Sequence, residues 1–237
     1  MVRVESEPVF VLHRRPYRET SLLVEGFSLN HGRIGLVCRG VRRRRVADLH
    51  PFQLLEGSWQ GRGDLFTMTR SEVSRSHRLV VTRNSICGLY LNELLLKLMP
   101  RGVPAPGLFR CYAQTLATLT AARDVEPALR VFEFELLRAL GYGLQLEHDS
   151  VGKPLSSNGR YRFVGESGLV YCDGDGAARD TVSGDAVRAL RDQRLGDREL
   201  ARQVKHLLGM ALEHQLQGRE LQTRKLLRFV ESQGDRD

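Results

Sequence analysis

The stretch VLHRRPYRETSLLVEGFSLNHGRIGLVCRG, residues 11–40, is built from short apolar runs separated by charged residues, asparagine and glycine. Short runs rich in valine, leucine and isoleucine with turn residues between them are typical of β-strands. The pattern predicts a first strand over 8–15 and two more over 20–29 and 31–40. Residues 51–73 predict a further pair joined at Gly61–Gly63. Five short strands at this spacing favour a small barrel or sandwich.

Beyond residue 80 the apolar residues recur at helical spacing instead. Helices are predicted over 83–100, 108–124, 125–143, 183–190, 197–216 and 221–232. The segments RYRFV and GLVYC, at 160–164 and 168–172, alternate and predict a hairpin inside this helical part. The change near residue 80 predicts two domains, 1–80 and 81–237, with a hairpin and loop insertion over 145–175.

The positive charge of the chain is concentrated in the predicted β domain. Residues 1–80 carry 14 Lys/Arg against 8 Asp/Glu, which is 14 − 8 = +6, whereas residues 81–237 carry 22 against 20, which is +2. These sum to the formal net charge of +8. A small basic β domain is a common platform for nucleic acid.

The sequence RGVRRRR, residues 39–45, is the densest run of cations. It is interpreted either as a solvated loop or as a phosphate-binding loop, and the basic domain around it favours phosphate. The predicted DNA-binding residues are Arg14, Arg33, Arg39, Arg42, Arg43, Arg44 and Arg45. Arg14, Arg15 and Arg18 are expected in the first turn. Tyr17 is either a base-stacking residue or an ordinary surface tyrosine.

Signs of catalysis or of a cofactor are missing from the sequence. It contains no P-loop, HExxH or GxSxG motif, and its histidines are scattered. DGDGAARDTVSG, at 173–184, begins like a calcium loop but has Ala178 where the loop needs glycine and Gly184 where it needs glutamate. We therefore expect no catalytic residue, cofactor or metal. Neither a signal peptide nor a long apolar span is recognisable, so a cytoplasmic protein is expected.

Over nearly its full length the chain resembles the RecO family of bacterial recombination mediators. The resemblance rests on segments that occur in the order expected for the family. They are residues 11–43, with Y-x-E-x-S and then a G-R strand entering a basic loop; PFQLLEGSW at 51–59; LYLNELLLKLMP at 89–100; FEFELLRALGYG at 132–143; and LQTRKLLRFV at 221–230.

This resemblance implies an α+β protein with an N-terminal five-stranded OB-fold β-barrel and a mostly helical C-terminal domain with a small β-hairpin insertion. It also implies binding of single- and double-stranded DNA, annealing of complementary strands, and a nucleoid-associated location. The implied protein partners are RecR and the acidic C-terminal tail of the single-strand DNA-binding protein. Neither catalysis nor ATP is implied, and no membrane contact is expected.

Two features of the resemblance bear on particular residues. Many family members carry a four-cysteine zinc motif after L-G-Y-G, but here only Cys172 remains, with His148 nearby in sequence. Since two ligands cannot build a tetrahedral zinc site, a zinc-free member is expected.

The acidic tail needs a cation beside an apolar pocket, and Arg130 is the first candidate, followed by Arg138, Arg224 and Lys225. The alternative for each is an ordinary exposed helix cation, and for Arg138, Arg224 and Lys225 this alternative is favoured.

Two other classes of function remain open at this point. The barrel could belong to another nucleic-acid module, such as an RNA-binding or translation-associated OB protein. The helical part could also carry an active site, although the missing motifs count against an enzyme.

Overall fold

The structure is a computed structural model that describes residues 1–39, 49–80, 82–121, 124–173 and 180–234, apart from the side chains of 228, 229 and 231–234. The chain forms two compact units. The first unit comprises Met1–Ala122 with Leu221–Asp237, and the second comprises Arg123–Glu220.

The first unit contains a closed five-stranded barrel. Its strands are β1 Val2–Tyr17, β2 Ser21–Ser28, β3 Gly32–Arg39, β4 Gln53–Arg62 and β5 Leu65–Ser76. They close in the order β1-β2-β3-β5-β4, with β3 and β5 parallel and every other pair antiparallel. This is the topology of an OB-fold, and the predicted α+β class with an N-terminal five-stranded barrel is confirmed.

Alternating apolar residues explain why these segments form a barrel. Successive side chains of a strand point to opposite faces, so every second residue lines the interior. The buried interior is formed by Val9, Val11, Val24, Ile34, Leu36, Cys38, Leu49, Leu55, Trp59 and Met68. Arg14 and Arg15 also lie in β1, because the strand continues to Tyr17. Their predicted place in the first turn was therefore wrong, and only Arg18 lies there.

Two helices complete the first part of this unit: α1, Thr82–Leu98, and α2, Pro106–Ala121. The second of them, α2, packs on the outside of β1 and β2 through aromatic contacts. The ring of Phe10 lies 4.9 Å from that of Tyr112, and the ring of Phe27 lies 5.6 Å from that of Phe109. The outer side of the barrel around Phe10 and Phe27 is therefore covered by α2.

The link between α1 and α2 is hydrogen-bonded to β3. The amide of Gly102 donates to the carbonyl of Arg33 at 3.0 Å. Gly32 has φ +64° and approaches the backbone of Val103 so closely that a Cβ there would lie 2.0 Å from the Val103 carbonyl oxygen. Only glycine fits that combination of conformation and close approach.

The C-terminal helix α6, Gln222–Gly234, packs on α1 in the same unit. Glu93 of α1 accepts hydrogen bonds from the amides of Gln222 and Thr223 at 2.9 and 3.0 Å and from the Thr223 hydroxyl at 2.6 Å. The first amides of a helix have no partner inside the helix. The Glu93 carboxylate therefore satisfies the start of α6 and adds favourable charge at its positive end.

The second unit is helical with a small sheet. Its helices are α3 Glu126–Ala139, α4 Gly184–Arg191 and α5 Arg198–Leu216. The predicted hairpin is confirmed as β6 Arg160–Val164 and β7 Gly168–Tyr171, and β8 Thr181–Ser183 adds a third strand beside β6. β8 was not predicted, since a strand of three residues carries too little pattern to recognise.

Helices replace strands between Ser76 and Thr82, close to the predicted change at residue 80. The helices α1, α2 and α6 nevertheless belong to the same compact unit as the barrel. The division into domains 1–80 and 81–237 stays a prediction.

Candidate nucleic-acid interface

Two rows of paired residues lie on the outside of the barrel, where the end of β1 meets the start of β2 and the end of β3. In one row Arg15 pairs with Leu23, and Leu23 pairs with Val37. In the next row Tyr17 pairs with Ser21, and Ser21 pairs with Arg39. Directly opposite residues of a sheet lie on the same face. The intervening residues Val24, Leu36 and Cys38 line the interior, so both rows face outward. We call Arg15, Tyr17, Ser21, Leu23 and Arg39 the outer β1–β3 face.

Two arginines of the outer β1–β3 face are available for a ligand. Arg15 and Arg39 are both exposed. Among the residues that the structure describes, neither forms an ion pair or a hydrogen bond through its side chain. A guanidinium presents a planar fork of donors that matches a phosphate. Within the described residues, the face can therefore bind a polyanion without first breaking an ion pair.

Tyr17 and Arg18 form a cation–π pair at the end of this face. The Arg18 guanidinium carbon lies 5.2 Å from the centroid of the Tyr17 ring, within the range of a cation–π contact. Tyr17 is half-buried, and Arg18 is exposed in the turn that follows β1. The Tyr17 ring and the Arg18 guanidinium thus lie at the same end of the barrel as Arg39.

Arg33 lies on the same side of β3 as Arg39 but has a different environment. Its guanidinium pairs with Glu25 at 3.2 Å and donates to the carbonyl of Met99 at 2.9 Å, and Arg101 pairs with the same carboxylate. Burial lowers the pKa of Arg33. These contacts attach the segment after α1 to the barrel. The charge of Arg33 is therefore balanced by Glu25 within the same unit. Its role in DNA binding stays a prediction.

The remaining predicted DNA-binding residues divide into two groups. Arg14 pairs with Val24 in the strand register, so it lies on the opposite side of β1 from Arg15, and it is half-buried with contacts of its own. Arg42, Arg43, Arg44 and Arg45 lie outside the described residues. Sequence reasoning did not include Arg15 among the DNA-binding residues, although its pairing with Leu23 places it on the outer face.

Arg130, the first candidate for the acidic tail, is buried in the second unit. Its guanidinium lies 3.1 Å from the carboxylate of Glu133 and 3.7 Å from that of Glu126. The Arg130 side chain is only 8% exposed. Lys205 also lies 3.6 Å from Glu126. Arg130 is thus part of an ion-pair network, and its role as a tail receptor stays a prediction.

Arg138, in contrast, lies at the surface next to a cavity of about 280 Å³. Its side chain is 62% exposed and pairs with Glu135 at 2.6 Å. Arg138 lies beside Gly143, which lines the cavity with Leu137, Tyr142 and Phe163. The other two candidates, Arg224 and Lys225, lie in the first turn of α6 in the barrel unit.

Among the residues that the structure describes, no three His, Cys, Asp or Glu side chains come together as a metal site would require. No helix in the described part of the chain has the length and apolar character needed to cross a membrane.

Comparison with known proteins identifies relatives along almost the whole chain. Residues 1–77 match the family described as Recombination protein O N terminal, and residues 82–225 match Recombination protein O C terminal. The DNA repair protein RecO of Methylococcus capsulatus is 42% identical over 230 residues, covering 95% of this chain and 94% of that protein. The protein of the same name from Azoarcus is 39% identical over 232 residues, covering 95% and 96%.

Proposed function

Because this chain belongs to the RecO family, we propose that it is a recombination mediator in DNA repair. It binds single- and double-stranded DNA, anneals complementary strands and works with RecR and the single-strand DNA-binding protein to load the recombinase. It acts without catalysis and without ATP, in association with the nucleoid.

One observation carries the DNA-binding part of this proposal. Arg15 and Arg39 are exposed on one face of a barrel, with their charges unpaired within the described residues. Two polyanionic strands repel each other, and a protein that brings them together gains affinity by releasing their counterions. Arginine–phosphate contacts position a strand without reading its sequence, which suits annealing of any complementary pair. We assign Arg42–Arg45 to the same role.

Annealing also requires access to strands that are coated by the single-strand DNA-binding protein. We propose that the second unit captures the acidic tail of that protein at Arg138, whose neighbouring cavity offers Leu137, Tyr142 and Phe163 to an apolar side chain. A cation near a pocket with several apolar walls suits an acidic peptide with an apolar end. Titration of a tail peptide tests this assignment: Arg138→Ala and Tyr142→Ala should each weaken binding, and unchanged affinity in both contradicts it.

The whole proposal is tested by annealing of complementary strands coated with the single-strand DNA-binding protein, with and without RecR and with no nucleotide added. The expected result is annealing by this protein and a further effect of RecR. Arg15→Ala/Arg39→Ala should reduce annealing, whereas Arg191→Ala/Arg202→Ala, which removes two exposed arginines from α4 and α5, should not. Failure of the wild-type protein to anneal the strands contradicts the proposal. A preference for single-stranded RNA over DNA favours another nucleic-acid module instead.

A further inference from the structure

We propose that Tyr17 stacks on the bases of single-stranded DNA, so that the barrel holds unpaired strands by their bases as well as by their phosphates. The inference rests on the proposed function and deepens it.

The strand register places Tyr17 and Arg39 at the same end of the outer face, each beside Ser21. Neighbouring strands lie roughly 5 Å apart, so Tyr17 and Arg39 are separated by roughly 10 Å across β2. Ser21 between them is small. One strand of DNA can therefore cross this end of the barrel with a phosphate at Arg39 and a base at Tyr17.

Tyr17 is not needed to fill the barrel. The interior is closed by residues such as Val24, Leu36 and Trp59, and Tyr17 is not among the residues that pack there. It remains half-buried on the outside. An aromatic side chain on the outside of a barrel, near exposed arginines, matches the stacking platforms of proteins that bind single strands.

The turn after β1 keeps a cation against the ring. Arg18 has φ +54°, a left-handed conformation that is unfavourable for a residue with a Cβ. Its guanidinium nevertheless lies over the Tyr17 ring, 5.2 Å from the centroid. Strained backbone of this kind often marks a binding site. The guanidinium and the ring together offer a base a cation and an aromatic surface.

Stacking makes this contact selective for unpaired DNA. The bases of a duplex are already stacked on one another, so their faces are not offered to a side chain. An uncharged ring also displaces no counterions, so its contribution does not depend on salt in the way that a phosphate contact does. Tyr17 and Arg39 can therefore be distinguished by experiment although they lie at the same site.

The test compares three variants of the full chain, Tyr17→Ala, Tyr17→Leu and Tyr17→Phe, in equilibrium binding to three probes of equal length. The probes are single-stranded DNA, an abasic strand with the same number of phosphates, and duplex DNA. Tyr17→Ala and Tyr17→Leu should weaken binding of single-stranded DNA about fivefold or more, with the salt slope unchanged. Neither should alter binding of the abasic strand or the duplex, and Tyr17→Phe should bind as the wild type does.

Tyr171→Ala serves as the control because this tyrosine likewise lies at the surface, 49% exposed, but on β7 of the second unit. It should leave all three affinities unchanged. Equal losses on the abasic and the normal strand would overturn the inference, because they would show that the ring is not in contact with bases. Unchanged binding of single-stranded DNA in Tyr17→Ala would also overturn it. In either case the proposed function stands as long as the wild type binds and anneals DNA.

Discussion

The Tyr112 hydroxyl donates a hydrogen bond to the side-chain oxygen of Asn92 at 2.6 Å, and the Asn92 amide donates in turn to the carbonyl of Leu12 at 2.7 Å. The register of β1 shifts between Val11 and His13, so Leu12 lies at a bulge. A bulge leaves a residue without its ladder partner. Asn92 of α1 supplies that partner, and Tyr112 of α2 holds Asn92 in place.

We predict that Asn92→Ala lowers the free energy of unfolding by about 2–4 kcal/mol, because it leaves both the Leu12 carbonyl and the Tyr112 hydroxyl buried without their partner. Tyr112→Phe should cost only about 1 kcal/mol, since Asn92 keeps its bond to Leu12. Urea unfolding measures both. Gln114→Ala, at an exposed position of α2, should change stability very little, and equal effects of Asn92→Ala and Gln114→Ala would contradict the role of Asn92.

Replacing Gly184 or Gly209 by alanine should change the free energy of unfolding in opposite directions. A Cβ on Gly184 would lie 1.9 Å from the carbonyl oxygen of Ser156, so Gly184→Ala should destabilise the second unit strongly. Gly209, inside α5, has open space around the same position. Gly209→Ala should therefore raise the free energy of unfolding by about 0.5–1 kcal/mol. Thermal unfolding of the two variants measures both effects. Destabilisation by Gly209→Ala would contradict the open space around that position.

The Glu93 contact with α6 should depend on pH. Burial acts to raise the pKa of Glu93, but hydrogen bonds from Thr223 and Gln222 and the charge of Lys97 outweigh it, so the pKa lies below its ordinary value of 4.5. A carboxylate whose folded-state pKa is depressed stabilises the fold above its unfolded-state pKa, and that stability is lost as the pH falls through the folded-state pKa.

Glu93→Gln should accordingly be less stable than the wild type at pH 7, and the difference should shrink as the pH falls below 4.5. Urea unfolding at a series of pH values measures it. Glu72→Gln is the matched control, because that carboxylate is exposed and 3.5 Å from Arg70 at the surface, where a pair contributes little. A difference between Glu93→Gln and wild type that does not vary with pH would contradict the contact.

The small sheet of the second unit should be held without a metal. The Tyr161 hydroxyl accepts from the amide of Ser156 at 2.8 Å, and the amide of Gly159 donates to the carbonyl of Ser156 at 3.0 Å. A chelator should leave the thermal unfolding temperature unchanged, whereas Tyr161→Phe should lower it by removing a buried acceptor. Metal analysis that finds about one tightly bound zinc per chain would contradict the prediction.

The barrel and the helices could be predicted because their patterns are local. Val9 and Val11, or Leu36 and Cys38, alternate inward along a strand, and the helices repeat apolar residues every three or four positions. The contact of Asn92 with Leu12 joins residues 80 positions apart, and no local pattern reports it. β8 is too short to show a pattern.

The candidate site was predicted less completely, because charge in a sequence does not reveal what covers it. Arg39 and Arg33 belong to one strand, but only Arg39 is exposed, since the segment after α1 covers Arg33. Arg130 and Glu133 are visibly one helical turn apart, yet their burial depends on α5 and could not be read from α3 alone. Arg15 is identified only by its register with Leu23.

The most direct test of the outer β1–β3 face is the salt dependence of single-stranded DNA affinity in Arg15→Ala/Arg39→Ala. Each phosphate contact contributes about 0.7 to the slope of log affinity against log salt. The double variant should therefore bind more weakly and show a slope smaller by about 1 to 1.5, whereas Arg191→Ala/Arg202→Ala, with the same net charge, should retain the wild-type slope. An unchanged slope and affinity in Arg15→Ala/Arg39→Ala would contradict the assignment of this face to DNA.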